Sequence, residues 1–206
     1  KWELKNLKPF KSEYACPVFE ELVPVVLIAL DKFEMDGNAG SFASWESFGN
    51  FSYQLTKGKD VLPGELKAKV KQLTEGKTTT FDKVAALYKY MQENTRYISI
   101  QLGIGGWMPF DAAFVYQKKY GDCKALTNYM YAMLKEVGIP SIYSLVKSGG
   151  GLVRFQEDFP SQQFDHVILC VPNGRDSIWL ECTSQTLPPG YLGEFTNNRQ
   201  VLLVME

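Results

Sequence analysis

The stretch Tyr116–Ser141, YQKKYGDCKALTNYMYAMLKEVGIPS, decides the fold. From Leu126 the apolar residues Met130, Met133, Leu134 and Val137 recur at helical spacing, and Gly138-Ile139-Pro140 is a stop signal. Cys123 stands at the first turn of this helix, directly after Gly121-Asp122. A packing thiol belongs deeper, on the apolar face. At a helix start, the dipole and the unpaired backbone N–H groups favour thiolate over thiol. An ordinary thiol, with a pKa of about 8.5, is mostly protonated at pH 7, so a nucleophile here also needs a base.

The chain has one histidine, His166, in the strand-like run FDHVILCVP, where alternation sets His166 and Ile168 on one face and Val167 and Leu169 on the other. The next strand-like run is SIWLECTS, and Asn173-Gly174 between the two is a strong hairpin signal. A two-residue loop at Asn173-Gly174 makes paired positions sum to 173 + 174 = 347, which sets His166 opposite Glu181 (347 − 166 = 181). A carboxylate there can take one ring N–H and leave the other nitrogen for the thiol. The same register sets Cys170 opposite Ser177 and disfavours a Cys170–Cys182 bridge.

Upstream, SFASWESFGNFSYQL carries Phe42, Trp45, Phe48, Phe51 and Leu55 at spacings of three and four, a helix whose stripe reads as core. A second helix is expected from near Pro63 to Gly76, with Leu66, Val70 and Leu73 inward. A third is capped by Thr79 or Thr80, with Val84, Leu87, Tyr88 and Met91 inward. TRYISIQLGIGGWMPF reads as a short strand and a glycine-rich loop. SIYSLVKS and QVLLVME complete a set of strands that follows the helices, the order of an α+β domain. VPVVLIALDKFEM, before all of these, is strand-like but carries Pro24.

The pieces YGDCKALTNYM, FDHVILCVP and IWLECTSQ, with the upstream IQLGIGGWMPFDAAFVYQKKYGDC, resemble bacterial transglutaminase-like domains of the papain-like cysteine superfamily. The resemblance implies a papain-like core, with helices packed on an antiparallel β-sheet and the catalytic cysteine at a helix N-terminus. It implies Cys123 as nucleophile, His166 as general base and Glu181 in the acid position, where many relatives carry Asp in a WLDPT-like string. It also divides the chain: residues 1–40 resemble a linker that follows a β-sandwich domain in large bacterial relatives, and residues 41–206 form the transglutaminase-like domain. A longer, multidomain, periplasmic or cell-envelope protein is the setting this implies.

An acyl-transfer site needs donors for the developing oxyanion. The Cys123 N–H is one by analogy, and Gln101 or Trp107 is the candidate for the other. Asp122 and Lys124 read as capping and solvent-facing residues, Asp165 as a surface residue turned away from His166, and Tyr120 as a cleft residue or an anchor for the helix start.

Two classes of function follow. The first is a thiol enzyme that acts on a peptide, protein or cell-wall amide through a thioester, resolved by water (peptidase or amidase) or by an amine (transglutaminase). The second is a non-catalytic module that holds a peptide or glycan, or serves assembly, within a larger envelope protein. Other classes find no support. The 206 residues carry a formal net charge of −1 with dispersed Lys and Arg, which offers nucleic acid no basic face. The longest apolar run, LVPVVLIAL, is far shorter than a bilayer span. Four cysteines without C-x-x-C spacing and a single histidine form no recognisable zinc site, nothing resembles a calcium loop, and no cofactor is implied.

Overall fold

A computed structural model describes residues 3–11, 13–17, 19–149 and 155–206. Residues 1, 2, 12 and 18 of the expected lead-in, residues 1–40, lie outside the described residues. The chain starts with a single turn, α1 (Phe19–Leu22), and a hairpin, β1 (Lys32–Met35) with β2 (Asn38–Ser41). Only the end of VPVVLIALDKFEM is therefore strand. Residues 24–30 belong to no strand, and Val25 to Ile28 and Leu30 are exposed. The hairpin straddles the expected boundary at residue 40, and Phe33 within it packs on Phe42 and Phe51 with ring centroids 4.8 and 4.9 Å apart.

Three helices follow: α2 (Trp45–Thr56), α3 (Gly64–Thr74) and α4 (Thr80–Asn94). Ser44 caps α2 by accepting from the Ser47 N–H, and Thr79 caps α4 by accepting from the Asp82 N–H. The expected strand in TRYISIQ is only the two-residue β3 (Arg96–Tyr97), and the glycine loop tightens into a 3₁₀ turn at Gly103–Gly106. The short helix α5 (Ala112–Lys118) was not foreseen. Next come β4 (Tyr120–Gly121), α6 (Cys123–Glu136), β5 (Ile142–Val146), β6 (His166–Asn173), β7 (Asp176–Leu180), the single turn α7 (Gly193–Thr196) and β8 (Val201–Val204).

The main sheet is antiparallel in the order β7-β6-β5-β8, and a two-residue parallel ladder joins β3 to β4. This is the expected α+β arrangement of helices packed on an antiparallel sheet. The central helix α6 lies between the sheet and α3, α4 and α5, whereas α2 packs on β8. Leu126, Met130, Met133 and Leu134 are fully buried with Val84, Leu87 and Met91 on one side and with Leu169, Val171 and Leu180 on the other. The aromatic stripe of α2 forms a second cluster with Phe33, Trp107 and Phe164.

The β6–β7 register differs from the expected one. Asn173 pairs with Asp176 and Leu169 with Leu180, so paired positions sum to 173 + 176 = 349 and the loop is Gly174-Arg175. Gly174 has φ +68° at the first loop position, and the turn follows the Gly-X hairpin pattern rather than Asn-Gly. Cys170 accordingly stands opposite Trp179 and not Ser177. Cys123, Cys170 and Cys182 are free thiols.

Candidate active site

The N-terminus of α6 is built around a close approach. A Cβ on Gly121 would lie 2.8 Å from the Cβ of Ala125, so only glycine lets the chain enter the helix this tightly. Asp122 is the N-cap, with extended backbone (φ −82°, ψ −175°), and its Oδ1 accepts from the Ala125 N–H at 3.0 Å. Its other oxygen pairs with Lys124. Both side chains are buried, at 3% and 5% exposure, so Lys124 does not face solvent as the sequence suggested. A buried carboxylate is costly without a countercharge, and Lys124 supplies one beside Cys123. Asn128, a turn further on, donates to the carbonyls of Lys59 and Phe110 at 2.7 and 3.2 Å and ties two loops to α6.

His166 opens β6 and Glu181 follows the last residue of β7, so both stand at the same end of the hairpin. They meet despite the shifted register. Continued by one residue, it sets Glu181 opposite Ile168 (349 − 181 = 168), diagonal to His166 on the same face, within reach of a long side chain. His166 Nε2 lies 2.9 and 3.0 Å from the two carboxylate oxygens, and it donates to them. Thr183 donates to Oε1 through Oγ1 at 2.5 Å and through its N–H at 3.2 Å, and Thr196 Oγ1 donates to Oε2 at 3.0 Å. The Glu181 carbonyl accepts from the Tyr88 hydroxyl at 2.7 Å. With Nε2 committed to Glu181, Nδ1 is the ring's other nitrogen, and Cys123 is near enough to help raise the imidazole pKa. Phe195 covers the ring edge-on, with centroids 5.2 Å apart.

Burial works against a charged imidazole. The hydrogen bonds to Cys123 and Glu181 and their charges outweigh it, and the His166 pKa is pushed up to about 9. Burial likewise works against the Glu181 carboxylate, but His166 and Thr183 hold its pKa below the usual value. The ring is therefore an imidazolium at neutral pH, facing the sulfur on one side and a carboxylate on the other.

Cys123 and His166 open into a cleft of about 370 Å³. Both oxyanion candidates, Gln101 and Trp107, line it, and the Trp107 ring is wedged against Phe33, Phe48 and Phe51. Asp165 is exposed at the rim, paired with Lys147 and accepting from the Ser148 N–H at 2.7 Å. Tyr120 packs on Phe114 and lies away from the cleft. Other wall residues were not foreseen: Phe48, Ser52 and Leu55 from α2, Tyr143 from β5, and Gln162 and Phe164 before β6. The α2 stripe is core and cleft wall at once, which helical spacing alone does not reveal. Thr183 and Thr196 had no signal in the sequence beyond being short hydroxyl residues.

Residues 67–168 match the family described as the transglutaminase-like superfamily. The chain carries a transglutaminase-like domain. The matched span includes Cys123 and His166 and ends before Glu181. Among solved structures, a candidate protease from Parabacteroides distasonis shares 20% identity with a TM-score of 0.52, over 64% of this chain and 26% of that one. A candidate cysteine protease from Cytophaga hutchinsonii shares 15% identity with a TM-score of 0.48, over 68% of this chain and 41% of that one. The chain thus spans well under half the length of either neighbour, and the first likeness establishes a shared fold. No curated protein matches the transglutaminase-like chain.

Proposed function

We propose that this transglutaminase-like domain is a cysteine-dependent enzyme that transfers the acyl group of an amide through a thioester. The observation that carries the reading is a buried imidazole whose Nε2 is held by the Glu181 carboxylate and which lines the same cleft as Cys123. Cys123 Sγ attacks the carbonyl carbon, and the electron pair moves onto oxygen, where the Cys123 N–H and a donor from Gln101 or Trp107 receive it. As the C–N bond breaks, His166 gives its Nδ1 proton to the departing amine and a thioester remains. The neutral ring then takes a proton from water or from a primary amine, whose attack releases the thiolate. Water makes the enzyme a peptidase or amidase; an amine makes it a transglutaminase. The protease description of the Parabacteroides neighbour supports peptide or protein amides as the substrate class, and cell-wall amides belong to the same chemistry. The setting that fits the resemblance is the periplasm or cell envelope, in a longer multidomain protein.

The test is thiol reactivity and turnover together. A limiting dose of iodoacetamide near neutral pH labels Cys123 ahead of Cys16, Cys170 and Cys182, read by peptide mass mapping. Cys170 and Cys182 are hindered because burial pushes both thiols up. Cys123→Ala abolishes amide turnover and leaves the thermal melt in place. Even labelling of all four cysteines, or turnover that survives in Cys123→Ala, would overturn the reading.

A further inference from the structure

The segment from Thr183 to Gln200 is half-buried or exposed throughout except at Thr196, whose side chain is 1% exposed. The one buried anchor of a surface segment is ordinarily apolar. Valine has nearly the shape of threonine, so a buried hydroxyl at this place is tolerated only if it finds a partner. It has one, since Thr196 Oγ1 donates to Glu181 Oε2 at 3.0 Å. The preceding residue, Phe195, lies edge-on against the His166 ring, with centroids 5.2 Å apart. Two consecutive residues of α7 thus reach both members of the His166–Glu181 pair. The turn is itself tied down, because the Phe195 carbonyl accepts from the Gly149 N–H at 3.0 Å and Arg199 Nη2 donates to the Gly149 carbonyl at 2.5 Å.

We propose that Thr196 is a positioning residue for this pair: its hydroxyl fixes the second oxygen of the Glu181 carboxylate, so that both oxygens stay on His166 Nε2. This rests on the reading of His166 as the general base. The last torsion of a glutamate side chain is broad and weakly restrained, so the plane of its carboxylate has to be held from outside. Nε2 lies 2.9 and 3.0 Å from the two oxygens, which requires one orientation of that plane. Thr183 holds Oε1 alone, through Oγ1 at 2.5 Å and through its N–H at 3.2 Å. Among the described residues, Oε2 has only Thr196 besides the ring. Without that hydroxyl the carboxylate is gripped at one end and turns about it, and the imidazole loses the partner that aims its other nitrogen into the cleft. No proton changes hands at Thr196. The other titratable groups that interact with the pair are Cys123 on α6, Tyr88 on α4 and Cys182 after Glu181, while Asp165 next to His166 is paired with Lys147. A substitution at residue 196 alters none of them.

The experiment is an NMR titration of the single histidine in the wild-type chain, in Thr196→Val and in Thr196→Ser, with thermal melts alongside. Valine keeps the packing and removes the hydroxyl, whereas serine keeps the hydroxyl and removes a methyl. In Thr196→Val the His166 midpoint falls from about 9 by about half a unit to one unit, a roughly three- to tenfold weaker hold on the proton, because a loosened carboxylate supports the imidazolium less well. Thr196→Ser keeps the wild-type midpoint although it loses packing and melts lower. An unchanged midpoint in folded Thr196→Val overturns the proposal. A raised midpoint overturns it too, since Thr196 would then draw charge from the carboxylate without holding it in place. A midpoint that falls equally in Thr196→Ser assigns the effect to the methyl and does the same. Iodoacetamide labelling decides the acyl-transfer reading separately: a wild-type Cys123 that reacts no faster than the other thiols overturns that reading, and with it the purpose of Thr196, whatever the ring titration shows.

Discussion

Glu181→Gln keeps the size of the side chain and removes its charge, so it tests whether the carboxylate sets the ionisation of His166. The ordinary imidazole value of 6.5 is raised here to about 9, against burial, by the hydrogen bonds and charges of Cys123 and Glu181. Removing the Glu181 charge leaves the burial penalty in place, so the midpoint must fall. A hydrogen bond to a charged group is worth about 1.5–3 kcal/mol, and one pKa unit corresponds to about 1.4 kcal/mol. The fall is therefore about one to two units, to a midpoint between about 7 and 8. Because the chain has a single histidine, an NMR titration of the ring protons gives it without assignment. Stability follows the same linkage. A folded-state value of about 9 lies above the unfolded value of 6.5, so His166 stabilises the fold fully below about pH 6.5 and loses that contribution as pH rises through 9. In Glu181→Gln the pH-dependent loss is smaller and ends at lower pH. Turnover falls about a hundredfold or more, though less than in Cys123→Ala, since the imidazolium loses its countercharge. A titration midpoint and an activity that both stay at wild-type values would refute the coupling and move the acid role away from Glu181.

The helix start yields two more predictions, both measured by denaturant melts. Gly121→Ala places a methyl 2.8 Å from the Ala125 Cβ and lowers stability by about 1–3 kcal/mol; an unchanged melt would mean that the close approach is absent. Lys124→Met leaves Asp122 buried without its countercharge and costs about 3 kcal/mol, whereas the double variant Asp122→Asn, Lys124→Met regains most of it, because Asn still caps α6. A double variant no more stable than the single one would contradict that account of Lys124.

The parts of the fold that were legible are those in which burial imposes a period. In α6, and in α4 with Val84, Leu87, Tyr88 and Met91 inward, every third or fourth residue must be apolar, and the sequence shows it. The helix α5 is only seven residues long and buries just Ala112 and Val115, too little to write a period. The hairpin was misread for a different reason. Asn173-Gly174 suits a turn that needs positive φ at two positions, but here only Gly174 takes it, and Asn173 stays in the strand. The His166–Glu181 contact survived that error because two residues are one full pleat: the shift leaves Glu181 on the same face and moves it only to the diagonal. A one-residue shift would have sent it to the other side of the sheet.

Lys124 was misplaced because a lysine without a visible partner belongs in solvent, and its partner is the adjacent helix cap. The two facts make sense together. An aspartate at the N-cap is the residue best suited to start α6, yet its charge is buried one residue from Cys123 and needs a countercharge there. With Lys124 on its second oxygen the cap adds almost no net charge, and the fields that remain at the sulfur are the helix N-terminus and the imidazolium of His166, both positive. Glu181 in turn is held by His166, two threonine hydroxyls and one backbone N–H, so its charge is spent on the far side of the ring and not on the sulfur. The two buried carboxylates, Asp122 and Glu181, are thus each neutralised before they can reach Cys123. That arrangement depends on residues from α6, β6, the segment after β7, and α7, which meet only once the sheet has formed.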